Sequence, residues 1–433
     1  MAQNAADLFW QPGDKGAYPD RADHIEQGGI YKPEYLEYIS STIATLDKEL
    51  FELSQDIHDH PELRFEERHA HDVLTSFVEK QGFNVTRHHL LETAWVATYT
   101  HGNGGRTLGV NSEMDALPGI GHACGHNLIA TAGVAVACAV KAALQKFDIS
   151  GTVVLLGTPA EEGGGGKLIL LDKGAYEGMD ACVMCHPAPG PPHSLSLSSC
   201  LALQRITVEY RGHTAHAALS PWEGQNALDA AVLAYTNISL LRQQLKPTHR
   251  VHGIFEGKDW TPNIIPDYAQ MNWYVRAPTR AEVQAAVKRV VACFEAAALA
   301  TGTKVDVQFT GSTFDIRQNK ALSDEAADVY SKNYGPVDYK YGIQSASTDF
   351  GNVTYALPSI HPSFAIPTTG SNHTREFTDA AATKEAHQAM LNVSKALAAT
   401  GMRLLTDDDF SQKVKDTFQE DLRLRKLEAE TAK

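Results

Sequence analysis

Residues 107–166 read TLGVNSEMDALPGIGHACGHNLIATAGVAVACAVKAALQKFDISGTVVLLGTPAEEGGGG. The opening run, Thr107 to Asn111, is short and apolar and predicts a strand that ends in the loop Ser112 to His122. From about Asn127 to Lys146 the chain is rich in Ala and Val and predicts a helix. Thr152 to Leu156 predicts a second buried strand, which stops at Pro159-Ala160-Glu161-Glu162 and the four glycines Gly163 to Gly166. Strand, helix, strand in that order predicts parallel pairing, because parallel strands need a long crossover between them. The expected fold class is therefore α/β, a mixed and mostly parallel sheet flanked by helices. Reactive groups in such sheets gather beyond the carboxyl ends of strands. Both loops of the quoted stretch stand at such ends.

Working outward, Leu46 to Phe83 is patterned as helix. The residues before it carry Pro12, Gly13, Gly16, Pro19, Gly28, Gly29 and Pro33 and are punctuated too often for a long helix, so residues 1–45 are expected to form an extension. The character changes near Leu201. Arg205 to Tyr210 and Gln270 to Arg276 alternate like strands, while Asn226 to Gln244 and Ala281 to Ala300 are helical, which predicts an inserted smaller α+β module over residues 200–314. Residues 46–199 and 315–433 are then the main domain, ending in a charged helical tail from about Asp407 that is expected to be solvated or partly frayed.

A chain of 433 residues, 43% hydrophobic and 21% charged, has ample material for two or three cores. The formal net charge of −14 works against nucleic acid or an anionic membrane as partner, since both are bound mainly through clustered Lys and Arg. The first residues lack the basic start and apolar run of a secretion signal, and the expected location is cytoplasmic. Six cysteines with no scaffold spacing predict reduced thiols.

Cys124 and His126 flank Gly125, so thiolate and imidazole can turn toward one point, and both suit zinc-like ions. Alone, the triplet more often describes an inert buried pair than a ligand pair. Glu161-Glu162 places two adjacent carboxylates after a buried strand, where they repel unless a cation or proton intervenes; a solvated acidic turn is the alternative. His186 follows the apolar run Ala181 to Met184, and His373 follows Pro367-Thr368-Thr369-Gly370-Ser371. Four such loops, each offering Cys, His or Glu, make a shared metal site a better reading than four separate coincidences. The glycine run lacks the Lys-Ser/Thr continuation of a phosphate loop, and Lys167 alone does not supply it. Ser347-Thr348-Asp349 reads equally as part of a cleft floor or as a helix cap.

Met114-Asp115-Ala116-Leu117-Pro118, His122 to His126, Pro159 to Gly163, His186-Pro187, Gly212-His213-Thr214-Ala215-His216-Ala217 and His373-Thr374 occur in the order of one known family. Together with His58-Asp59-His60-Pro61-Glu62-Leu63 they resemble the amidohydrolase branch of the aminoacylase and glutamate-carboxypeptidase-type dinuclear zinc metallopeptidases. Within it, Asp115 to Asn127 is most similar to aminoacylase-1-like dipeptidases. The likeness runs from about Leu46 to Ala398.

The resemblance implies a zinc-exopeptidase-like fold whose inserted module serves as lid and dimerisation domain. It further implies two divalent ions, zinc first, with manganese, cobalt or nickel as alternatives, held by Cys124, His126, Glu162, His186 and His373, with Cys124 shared. Glu161 would be the general base for metal-activated water, and Asp115 would orient a ligand. His216 would hydrogen-bond the attacked carbonyl, from a partner subunit of a homodimer. Asn263, Arg276 and His361 would contact a small substrate, a dipeptide or N-acyl amino acid. Asn127 stands where aspartate is usual, and Asn111-Ser112-Glu113 also departs from the family pattern, which leaves substrate preference open. Two other readings remain at this point: the same centre forming amide bonds in a biosynthetic pathway, and a non-catalytic scaffold that keeps the fold. The intact Glu161-Glu162 pair argues against the scaffold.

Overall fold

The computed structural model describes residues 29–339, 342 and 346–432; most of the expected extension, residues 1–28, lies outside the described residues. The chain divides into two compact units, one made of residues up to Ser199 with Ile316–Arg423 and the other of Cys200–Asp315 with Leu424–Lys433.

The first unit is built on a six-stranded sheet in the order Asn84–Arg87, Trp95–His101, Gly151–Thr158, Arg106–Glu113, Ala181–Val183, Ser359–Ile360. The last four strands pair in parallel, and the first two form an antiparallel edge. Arg106–Glu113 and Gly151–Thr158 are in register over their whole lengths, joined by the crossover helix His126–Lys146. That helix is long and apolar enough to cross a membrane by composition, yet it is almost wholly buried as a core helix. Its small residues let it lie close to the sheet: a Cβ on Gly133 would collide with Ser112 Oγ and meet Asn111 O at 2.7 Å. Leu108, Val110, Val153 and Leu155 are buried against it, each contributing about 1.5–3 kcal/mol on leaving water.

A second, four-stranded sheet in this unit runs Val337–Asp338, Leu195–Ser196, Ser363–Ala365, His186–Ala188. It continues the chain past the ends of the main sheet and carries His186.

Two elements differ from the sequence reading. The first helix begins at Pro33 rather than near Leu46, because proline at a first helical position loses no hydrogen bond there. Tyr35, Leu36, Ile39, Ile43, Leu50, Leu53 and Ile57 then form one buried stripe along it. The charged tail is not frayed: Asp408–Thr431 is helical, Phe410 and Val414 join the main core, and the buried Arg317 and Asp421 side chains stand 3.7 Å apart.

The second unit is a four-stranded antiparallel sheet, Lys304–Thr313, Ala202–Arg211, Tyr268–Ala277, Arg250–Glu256, with helices Ala227–Leu241 and Arg280–Thr301. Strict alternation of burial along Tyr268–Ala277 shows that one sheet face meets the helices. Asn226 caps the first helix by accepting from Leu228 N and Asp229 N, and Thr279 caps the second through Glu282 N.

Candidate metal centre

His126 is the first residue of the crossover helix rather than a loop residue, and Gly125 is its left-handed cap at φ 76°. Glycine is required there, since a Cβ would also meet Pro187 Cγ at 2.6 Å. Cys124 precedes this cap, and its Sγ lies 3.4 Å from His186 Nε2. Glu161 and Glu162 follow the strand Gly151–Thr158 through Ala160, which is held at φ 58°. His373 also has a left-handed backbone, at φ 69°, and its N–H donates to Ala123 O at 2.8 Å. His373 Nε2 lies 3.0 Å from Glu162 Oε1.

Three overlapping donor sets result: Cys124, His126 and His186; Cys124, Glu162 and His373; His126, Glu161 and Glu162, each with its atoms within 4.8 Å of one another. The first two share one sulfur and otherwise use different residues, which is the donor arrangement two neighbouring ions need. Buried in the protein, the Cys124 thiol is pushed far up, first by desolvation and then by Glu162. Only a cation holds such a sulfur as thiolate. Burial favours neutral His186, lowering it to about 4, and neutral imidazole is the form that binds metal. Glu162 is pushed up by burial but pulled lower still by His373 and His126, so it stays ionised. Glu161 is raised well above the usual carboxylate range, first by burial and then by the charges of Glu113, Asp349 and Glu162. Their surroundings thus push the two adjacent glutamates in opposite directions. The residues fit a dinuclear centre.

Asp115 ties the pieces together. Its Oδ1 accepts from Glu161 N at 3.1 Å and faces His126 Nδ1 at 3.2 Å, while Oδ2 accepts from Glu162 N at 2.9 Å. His361 is buried, its ring 5.7 Å from that of His186 and 5.4 Å from Phe350, with neither ring nitrogen hydrogen-bonded; burial lowers it to about 3. His122 is buried too but belongs to none of the donor sets found among the described residues.

The other expected contacts lie in the second unit. His216 is exposed, bridges to Ile264, and accepts at Nδ1 from Ala218 N and Leu219 N. Its tautomer therefore leaves Nε2–H as a donor. Asn263 is exposed and its carbonyl accepts from Ala217 N. Arg276 sits on the strand Tyr268–Ala277, its guanidinium 5.8 Å from the Tyr274 ring.

Sequence reasoning missed a buried charge cluster beside the centre. Lys167 Nζ lies 2.5 Å from Glu113 Oε1 and 2.8 Å from Asp349 Oδ1, with every side chain at most 1% exposed. Glu113 Oε2 faces His126 Nε2 at 3.5 Å. Glu67 is buried as well, accepting from Thr93 Oγ1 at 2.7 Å and Ala160 N at 2.8 Å. A signal for the cluster existed in Glu113, a charge at the buried end of a strand. Asp349 proves to be a carboxylate for Lys167, and Thr348 Oγ1 accepts from Phe350 N at the start of the helix Phe350–Ala356.

The sequence pattern of peptidase family M20/M25/M40 matches residues 109–396. An Xaa-Arg dipeptidase of Mus musculus is 42% identical over 386 residues, 85% of this chain and 88% of its own length. A p-aminobenzoyl-glutamate hydrolase chain of Escherichia coli (strain K12) is 29% identical over 89% of this chain and 95% of that protein. Among solved structures, a dinuclear metal binding peptidase from Bacillus subtilis superposes with a TM-score of 0.66 at 19% identity, covering 84% of this chain and 99% of the other.

Proposed function

This chain belongs to peptidase family M20/M25/M40 and is a hydrolase, and from that premise we propose that it cleaves the amide bond of a dipeptide or an N-acyl amino acid at a centre of two divalent ions. The observation that carries this reading is the pair of three-donor sets sharing the Cys124 sulfur, with Glu161 beside them and outside both. Cys124, His126, Glu162, His186 and His373 would hold the ions. Zinc is the metal that a thiolate and imidazoles favour. When bound, such ions supply Lewis acidity and make water acidic enough to attack at neutral pH.

The protein groups do the rest. Glu161, standing beside the proposed ligands, takes the proton of the attacking water and returns it to the leaving amine nitrogen. Asp115 fixes the backbone of both glutamates, so the base and the neighbouring ligand keep one separation. His216 donates its Nε2–H to the carbonyl oxygen as negative charge develops. Family resemblance supports placing His216 on a lid that is also the interface of a homodimer. Family resemblance supports Arg276 and Asn263 as groups that contact the carboxylate end of the substrate, and His361 as a substrate-contacting residue. Five of the six cysteines are buried free thiols, which supports a reducing, cytoplasmic setting.

The name of the Mus musculus relative puts dipeptides with C-terminal Arg first among substrates to try, and a net charge of −14 attracts a basic substrate. The test is metal content together with turnover on Xaa-Arg dipeptides, other dipeptides and N-acyl amino acids. Glu161→Gln is expected to keep its metal and lose roughly 100- to 10,000-fold in kcat. A wild type that binds no divalent ion, or a Glu161→Gln variant of unchanged kcat, overturns the proposal. Inactive His216→Ala and Glu161→Gln chains should regain activity when mixed if His216 acts across a dimer; mixtures that stay inactive refute that part.

A further inference from the structure

Apart from the catalytic centre, the described residues bring together one other set of metal-type donors, Asp56, His60 and His69. Asp56 and His60 are four residues apart at the end of the helix Pro33–Asp59, so they share a face. His69 comes from the first turn of the helix Arg68–Lys80. His60 Nδ1 and His69 Nε2 each lie 3.0 Å from Asp56 Oδ1, and His60 Nδ1 also lies 2.8 Å from the Asp56 carbonyl oxygen. The two rings are 4.3 Å apart. In a tetrahedral site with zinc–ligand bonds near 2.0–2.1 Å, neighbouring donor atoms are separated by about 3.3 Å. The two nitrogen-to-oxygen spacings need to open by about 0.3 Å, and His60 Nδ1 must release the proton it shares with the Asp56 carbonyl, for an ion to enter.

The position of His69 is fixed independently of this cluster. Glu62 accepts from His69 N at 2.9 Å and from Ala70 N at 3.0 Å, which anchors the start of the second helix against the segment joining the two. The site is open to solvent, with side-chain exposures of 57% for His60, 40% for Asp56 and 36% for His69. An ion can therefore enter and retain water ligands without any burial of charge.

We propose that Asp56, His60 and His69 form a surface site for a single borderline divalent cation, zinc, nickel or copper by its imidazole and carboxylate donors, separate from the catalytic centre. The ion would join the two helices across residues 60–67. That segment reaches the catalytic loops: Glu62 O accepts from Ala116 N at 2.8 Å, next to Asp115, and Glu67 Oε1 accepts from Ala160 N at 2.8 Å, next to Glu161. Occupancy thus stiffens a support of the catalytic loops without contributing to the chemistry.

The experiment titrates the full-length, metal-loaded protein with Zn2+ by calorimetry, comparing wild type with His60→Gln/His69→Gln and with Asp56→Asn. Wild type takes up one equivalent more than the double variant. Its affinity for that equivalent exceeds the variant's by more than the roughly 10- to 100-fold that loss of a merely orienting partner costs. Because the three side chains are on the surface, the variants fold, and an unchanged melting temperature in chelator verifies it. Amide exchange in residues 60–70 slows with the extra equivalent in wild type alone. Equal stoichiometry and affinity in wild type and double variant overturn the site, whatever the outcome for the catalytic centre. Exchange that does not respond overturns its coupling to the segment.

Discussion

Replacing Lys167 with methionine leaves Glu113 and Asp349 facing one another with no cation between them. The lysine is wholly buried, 2.5 Å from Glu113 Oε1 and 2.8 Å from Asp349 Oδ1, and its own backbone N–H also donates to Asp349 Oδ2 at 2.9 Å. Methionine preserves the stem and the backbone bond, so the loss is electrostatic. Removing one partner of a buried ion pair costs about 3–5 kcal/mol. At roughly 2 °C per kcal/mol, the low end suited to a large unit, Tm falls by about 6–10 °C. Because Glu113 Oε2 is 3.5 Å from His126 Nε2, metal uptake should weaken in the same variant. The control is Lys167→Met/Glu113→Gln/Asp349→Asn, which removes all three charges. Neutral replacements of buried ion clusters are tolerated, so this triple variant should recover most of the lost Tm. Thermal melts of metal-free protein read the stability effect apart from metal binding. A single variant that melts with the wild type, or a triple variant that melts no higher than the single, refutes the reasoning.

Burial lifts the Glu67 carboxyl from 4.5 to about 7. Across that window the folded chain keeps a proton that the unfolded chain has released, so stability falls as pH rises through it and stays low above. The loss is up to about 3 kcal/mol. Glu67→Gln still offers an acceptor to Ala160 N and lacks the titration, so its Tm advantage over wild type should widen between about pH 5 and pH 8; a gap independent of pH contradicts this. Asp115→Asn replaces one acceptor oxygen by a donor and leaves one of the two glutamate N–H groups unpaired. Metal affinity or kcat should drop by about 10- to 100-fold, read by competition with a chelator and by turnover. Gly125→Ala puts a Cβ on a left-handed backbone and against Pro187. The backbone alone costs about 1–2 kcal/mol, so a melt unchanged from wild type would show that this cap relaxes freely.

The main sheet was legible because its strands alternate with one long helix whose composition is unmistakable. Glu161, Glu162 and His186 were legible as chemistry because they follow apolar runs, whereas Cys124, His126 and His373 gained their reading from the order of motifs shared with one family. What the sequence hid follows from a single physical fact: charge is normally a sign of surface. Asp407 onward reads as solvated because its charges outnumber its apolar residues, yet Phe410 and Val414 join the main core and Ser411, Asp421 and Leu424 are buried as well. Lys167 reads only as the residue after a glycine run that is no phosphate loop, although it is wholly buried between two carboxylates from distant segments. A buried cation is recognised by its partners, and partners such as Glu113 and Asp349 meet only in three dimensions. The antiparallel edge formed by Asn84–Arg87 and Trp95–His101 escaped for a simpler reason: the first has only four residues, and the second loses its alternation of burial after Ala97.

The geometry of the centre also explains how scattered donors are held together. Ala160 and His373 hold left-handed backbones that cost about 1–3 kcal/mol each. Such conformations persist only where surrounding bonds over-determine them. Ala160 is held by Glu67, His373 by Ala123, and the two glutamates after Ala160 by Asp115. Every one of these bonds runs between separate segments, so no loop can relax without breaking contact with its neighbour. Strain is thus localised at the residue next to a donor or at the donor itself, and the cross-loop bonds convert it into fixed donor positions. The segment His122 to His126 carries two of the proposed donors and, through Ala123 O, the anchor for His373, which ties the first of these donors to the last.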